Sequence, residues 1–116
     1  MIKRGEHGAT MFHGESVFSV PGVPLEDVVD PTGAGDCFAG GFLGYLAATN
    51  DLSPMALRRA AVLGAVMGSF AVESFSVDRI GALAYHDIDA RFRAVARMTH
   101  FEPLGISEVL PWYGDL

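Results

Sequence analysis

The sequence is poor in lysine and cysteine. Among its 116 residues Lys3 is the single lysine and Cys37 the single cysteine. One cysteine excludes an intrachain disulfide framework and suits a reducing compartment, so a cytoplasmic location is expected. One lysine, placed at position 3, excludes a Walker A loop, whose G-x-x-x-x-G-K-[ST] pattern needs a lysine after its second glycine to reach the phosphates. Basic residues as a class are scarce: 8 Lys+Arg stand against 14 Asp+Glu, for a net charge of −6. Binding along a nucleic-acid backbone draws on clustered Lys and Arg, so no nucleic-acid partner is expected. Long apolar runs are missing too. The longest, Ala60 to Val72, is interrupted by Gly64, Gly68 and Ser69 and falls short of the roughly 20 residues that cross a bilayer, so no membrane partner is expected either. Met1-Ile2-Lys3-Arg4 leads into glycine and polar residues, without the apolar segment of a secretory signal. His7, His13, His86 and His100 show no metal-ligand spacing.

Glycine and apolar residues are plentiful: 14 glycines, and half of all positions hydrophobic. That composition and length allow one compact domain. The most informative stretch is Val28-Val29-Asp30-Pro31-Thr32-Gly33-Ala34-Gly35-Asp36-Cys37. Gly33 and Gly35 allow a tight turn and close approach of backbone to a ligand. The helix expected next directs unpaired N–H groups and its positive dipole end toward that turn, which suits an anion. A dinucleotide fingerprint is excluded, because Phe38 stands where G-x-G-x-x-G/A requires a small residue. Asp36 reads in two ways, as an ordinary N-terminal helix acid worth about 0.5–2 kcal/mol or as a group acting on substrate. A β-branched residue at Gly35 is expected to disfavour any left-handed backbone there and to obstruct the amides.

Around this turn the pattern predicts a hairpin, with strand-like runs at 9–12 and 16–20 about a three-residue connection His13-Gly14-Glu15. A short strand at 27–29 leads into the turn. A helix over 36–48, apolar on nearly every face, is expected to be buried between layers. Ser53-Pro54 predicts an N-cap and first helical residue for a second helix over 54–71, along which Ala61, Gly64, Ala65 and Gly68 allow close approach by a neighbour. A third helix over 87–98 places Ile88, Phe92, Val95 and Met98 on one side, with Arg91, Arg93 and Arg97 on a solvated face. Residues 99–116 read as an irregular tail whose apolar side chains leave open packing on the domain or on a second copy, as in a homodimer.

The run Asp30-Pro31-Thr32-Gly33-Ala34-Gly35-Asp36, followed by Phe38-Ala39-Gly40-Gly41-Phe42, closely resembles the C-terminal signature of the PfkB (ribokinase-like) family of carbohydrate and nucleoside kinases. Lys3-Arg4-Gly5-Glu6-His7-Gly8 is similar to that family's K-x-G-x-x-G segment beside the nucleotide. The resemblance implies an α/β ribokinase-like fold, of which this chain is a C-terminal fragment: a β-hairpin and strands followed by three helices. Residues 1–98 would form the ATP-binding part. It implies that ATP, with Mg2+, phosphorylates a sugar hydroxyl; a nucleoside kinase is the alternative within the family, and a non-catalytic nucleotide-binding or assembly module the alternative outside it. By the same resemblance Asp36 is the general base, and the amides of Gly33, Ala34 and Gly35 form the anion hole. Lys3, Gly5, Gly8, Gly64 and Gly68 belong to the ATP site, and Asp30 and Thr32 to the potassium site of members activated by monovalent cations. Ser74 and Ser76 depart from the family pattern, which often has glycine in that loop. Upstream substrate-binding and magnesium-holding residues of the family are not in this sequence, so the chain alone is expected to be inactive.

Overall fold

The computed structural model describes residues 1–3, 8–24, 33–73 and 85–111. Three strands, β1 (Ile2–Lys3), β2 (Ala9–His13) and β3 (Ser16–Val20), precede three helices, α1 (Ala34–Thr49), α2 (Pro54–Val72) and α3 (Tyr85–Thr99). The strands form one antiparallel sheet in the order β1-β2-β3. His13 pairs with Ser16, so the hairpin connection is the two residues Gly14 and Glu15 rather than the three expected; Gly14, at φ 60°, takes the positive φ that such a short turn demands. Alternation sorts the faces. Ala9, Met11 and Val20 are buried toward α2, whereas the cross-strand pair Phe12 and Val17 is more than half exposed on the other side.

Local signals at the helix ends operate as the sequence predicts. The Ser53 hydroxyl accepts the Ala56 N–H at 3.2 Å, and Pro54 opens α2. Just before it, the Ser53 N–H donates to Asp51 Oδ1 at 2.8 Å and holds that carboxyl below its usual range. The folded-state value is the lower one, so this contribution is present at neutral pH and is lost as the pH falls through the carboxylate range. Helix α1 ends on Asn50 in the left-handed region, its N–H bonded to the Leu46 carbonyl, a conformation asparagine tolerates better than most residues.

Helix α2 is the centre of the domain, with Ala61, Val66 and Phe70 joined to Val20 of the sheet and Val95 of α3 in one core. By length and composition α2 could cross a membrane, but half of that span is buried inside the fold, as suits a core helix. Its contact with α1 is close enough to exclude side chains. A β-carbon on Gly41 would lie 3.1 Å from Gly64 Cα, and one on Gly64 would lie 2.8 Å from the Phe38 carbonyl oxygen. Gly64→Val is therefore expected to destabilise the fold by about 1–3 kcal/mol through overpacking, read as a lower denaturant midpoint at unchanged m-value.

Two expectations need correction. Helix α1 has no buried residue: Phe38 and Phe42 are half-buried, and Leu43 is 61% exposed. Its composition is apolar all round, yet α2 covers one face only, and no other described element makes comparable contact with it. Arg91 is the second. It does not share the solvated face of Arg93 and Arg97 but turns inward, its guanidinium 3.7 Å from the Phe70 ring centroid. Residues 100–111 carry no helix or strand and do not pack back on the domain; Phe101 is 75% exposed. The expected strand at 27–29 lies outside the described residues.

Candidate active site

The first turn of α1 sets the geometry. Gly33 is the N-cap at φ 85°, ψ −6°, and no side chain caps the helix. The first helical bond runs from the Cys37 N–H to the Gly33 carbonyl at 3.0 Å, which leaves the amides of Ala34, Gly35 and Asp36 without a partner in the helix. These three donors, with the helix dipole behind them, face the same end. The left-handed position that glycine must fill is Gly33. Gly35 is helical, so the strain expected from a side chain at Gly35 belongs two residues earlier, at Gly33.

Asp36 occupies the third helical position and is exposed. Its carboxylate makes no hydrogen bond or ion pair with a described residue. A carboxylate beside three outward amides that does not cap them is free to accept a proton from a bound hydroxyl.

Lys3 reaches this turn from the sheet. Its pairing with Ala9 puts both side chains on one face, and Ala9 is buried on the helix side. The ammonium then stands 5.8 Å from the Phe38 ring centroid and 3.5 Å from the point a Gly35 β-carbon would occupy. A cation at a helix N-terminus is opposed by the dipole, and no acid among the described residues pairs with it. The arrangement becomes favourable when an anion joins them, and the donor set, amides plus a compact ammonium, matches phosphate.

Lys3, Gly33, Ala34, Gly35 and Asp36 are thus brought together. Gly64 and Gly68 approach from behind: a β-carbon on Gly68 would lie 3.2 Å from the Ala34 carbonyl oxygen, and Gly64 abuts Phe38. What comes close to both is the neighbouring helix. Gly8 stands at the start of β2 with φ 90°, where a β-carbon would collide with the Val20 carbonyl. Its glycine is demanded by the crossing of backbones at the sheet end. Gly5, Asp30 and Thr32, with Ser74 and Ser76, lie outside the described residues. No group of three or more His, Cys, Asp or Glu among the described residues could hold a metal. Two cavities, of about 230 and 550 Å³, lie elsewhere, against the hairpin and against α3; the turn is an open surface. Sequence reasoning missed Arg91, because helical periodicity puts it with the other arginines and only the position of α2 shows where it points.

The family model for pfkB family carbohydrate kinases matches residues 1–80. The chain belongs to this family. Among curated relatives it is 52% identical over 48 residues to the cytidine kinase of Thermococcus kodakarensis, covering 39% of this chain and 17% of that protein. It is 31% identical over 74 residues to the nucleoside kinase of Methanocaldococcus jannaschii, covering 64% and 23%. The inositol 3-kinase of Arabidopsis thaliana is 37% identical over 73 residues, covering 63% and 19%. The solved Burkholderia thailandensis nucleoside kinase in complex with inosine superposes with a TM-score of 0.67 at 36% identity, over 81% of this chain and 29% of that one. The ribokinase-like fold expected from the sequence is therefore present, and the chain spans less than a third of the length of each of these PfkB relatives.

Proposed function

We propose that this chain forms the nucleotide side of a nucleoside kinase, which moves the γ-phosphoryl group of ATP to a hydroxyl of a nucleoside. The observation that carries the reading is that one helix turn brings together three amides with no partner in the helix, an ammonium with no acid beside it and a carboxylate with no hydrogen bond, both among the described residues. The cytidine kinase and the nucleoside kinase among the relatives, with the inosine-bound structure, favour a nucleoside over the sugar first expected. Phosphoryl transfer depends mostly on positioning and charge stabilisation, and the turn supplies both. The amides that the helix leaves unpaired, those of Ala34, Gly35 and Asp36, receive the phosphoryl oxygens, and Lys3 adds a charge that follows the phosphate. Asp36 takes the proton of the attacking hydroxyl as its oxygen bonds to phosphorus and ADP leaves. Gly64 and Gly68 serve ATP indirectly by seating α2 against the start of α1. The family resemblance implies that Mg2+ would accompany the nucleotide and that Asp30 and Thr32, which lie outside the described residues, would be the ligands of a K+ ion. The cytoplasm, where ATP is at hand, is the proposed location.

The test is transfer from radiolabelled ATP by the natural full-length polypeptide to inosine, cytidine or ribose. Nucleoside phosphorylation with little on ribose is expected; preference for ribose would return the reading to a sugar kinase, and no transfer to any hydroxyl would favour a binding module. Residues 1–116 alone are expected to show negligible turnover. In the full-length polypeptide Lys3→Met should raise KM for ATP and lower kcat/KM by roughly tenfold or more, in line with loss of one charged donor at a phosphoryl site. An unchanged kcat/KM for ATP would take Lys3 out of the site.

A further inference from the structure

We propose that Arg91 is a positioning residue for the anion-binding turn, acting from α3 through the last turn of α2. The proposal rests on the reading of that turn as the phosphoryl site. One guanidinium makes three contacts. Its Nη1 donates to Ser69 Oγ at 3.0 Å and to Glu73 Oε1 at 2.7 Å, while its Cζ lies over the Phe70 ring, 3.7 Å from the centroid. Ser69 and Phe70 are buried, and the Ser69 hydroxyl donates in turn to the Val66 carbonyl at 2.6 Å. Arg91 and Glu73 are about three-quarters withdrawn from solvent, so their pairing is less screened than an exposed one.

The reason for this device lies in α2 itself. The helix has no basic residue in its last turn and is closed by the acid Glu73. A negative side chain at the negative end of a helix dipole is unfavourable, and helix ends fray when nothing satisfies them. Arg91 brings the missing positive charge from another helix. Gly68, in the same turn, lies against the carbonyl of Ala34, the first residue of α1. The path therefore runs from Arg91 to Ser69 and Phe70, through Gly68 to the Ala34 carbonyl, whose peptide unit carries the Gly35 N–H, one of the three donors. Fraying of α2 would remove the backing of that amide, and misplacement on the ångström scale is enough to slow a positioned reaction severely. Lysine could supply charge at this place, but not a planar group that stacks and bonds to two partners at once.

The test uses the natural full-length polypeptide with Arg91→Lys, Glu73→Gln and, as control, Arg93→Ala, whose partner Asp89 lies on its own helix. Arg91→Lys is expected to lower kcat by roughly tenfold with KM for the nucleoside unchanged, and Glu73→Gln to lower it less. Arg93→Ala should leave kcat alone. Amide hydrogen exchange gives a readout that needs no activity: exchange at Cys37 and Phe38 should quicken by roughly tenfold in Arg91→Lys but not in Arg93→Ala. A folded Arg91→Lys protein with wild-type kcat, or with unchanged exchange at Cys37 and Phe38, overturns the proposal. If the lysine variant does not fold, the same two readings on Glu73→Gln decide. A wild-type protein without phosphotransfer refutes the functional reading instead, and the exchange experiment still tests the path from Arg91 to α1.

Discussion

Asp36→Asn is expected to lower kcat of the full-length polypeptide by at least about 10²-fold while its thermal midpoint stays at the wild-type value, because a positioned base typically contributes 10²–10⁴. The substitution keeps shape and removes the proton acceptor. Two structural facts separate this outcome from loss of a helix cap. The cap position is Gly33, and the Asp36 side chain bonds to no amide of the first turn. What the carboxylate adds to α1 is only its charge near the dipole, a few tenths of a kcal/mol at an exposed site. KM for ATP should change little, since in the proposed mechanism Asp36 acts on the acceptor hydroxyl and a carboxylate would if anything repel phosphate. Steady-state kinetics in both substrates, with a melting curve of the same preparation, checks the claim. Unchanged kcat with a lowered melting point would make Asp36 a structural acid and remove the base from the mechanism.

Gly33→Val should be as damaging by a different route. At φ 85° and ψ −6° an L-residue pays about 1–2 kcal/mol, and a β-branched one more. Space is not the obstacle, because nothing lies within 4 Å of the added β-carbon. The chain would escape the strain by rotating the peptide that leads into Ala34, which re-aims the amides meant for the phosphoryl oxygens. Loss of one such donor costs roughly 10²–10³ in kcat at comparable sites, so kcat should fall by at least that range. Gly35→Val acts differently: Gly35 is helical, and its new side chain would press on the Lys3 ammonium 3.5 Å away. Its expected effect is a higher KM for ATP with a smaller loss of kcat. If Gly35→Val proved worse than Gly33→Val, the left-handed cap would not be what aims the donors.

The sequence was most informative where a few adjacent residues decide the structure. Ser53 and Pro54 start α2 because cap chemistry acts within one turn. The run from Asp30 to Asp36 identifies the family because its glycines and acids are contiguous in the sequence. The hairpin shows in alternation, and only its loop length was off by one residue, since register depends on pairing across strands. Where contacts span the chain, the pattern failed. Helix α1 is apolar on all sides, but apolarity does not tell how many faces find a partner. The spacing of Gly64 and Gly68 announced a close approach without naming what approaches, and it is α1.

Composition, charge and one heptapeptide with its flanks thus determined what this protein is: a PfkB-family chain with a glycine-capped helix start, a carboxylate beside it, and no lysine for a Walker loop. These are properties of residues near in sequence, set by φ/ψ preference, hydrogen-bonding capacity and helix dipole. The tertiary structure alone decided which residues at a distance join that turn. Strand register sends Lys3 to Gly35, the α1–α2 crossing presses Gly68 against Ala34, and the approach of α3 turns Arg91 onto Phe70 and Glu73. Each depends on how elements pack, and packing is fixed by the shape and burial of whole faces rather than by the order of residues along any one of them.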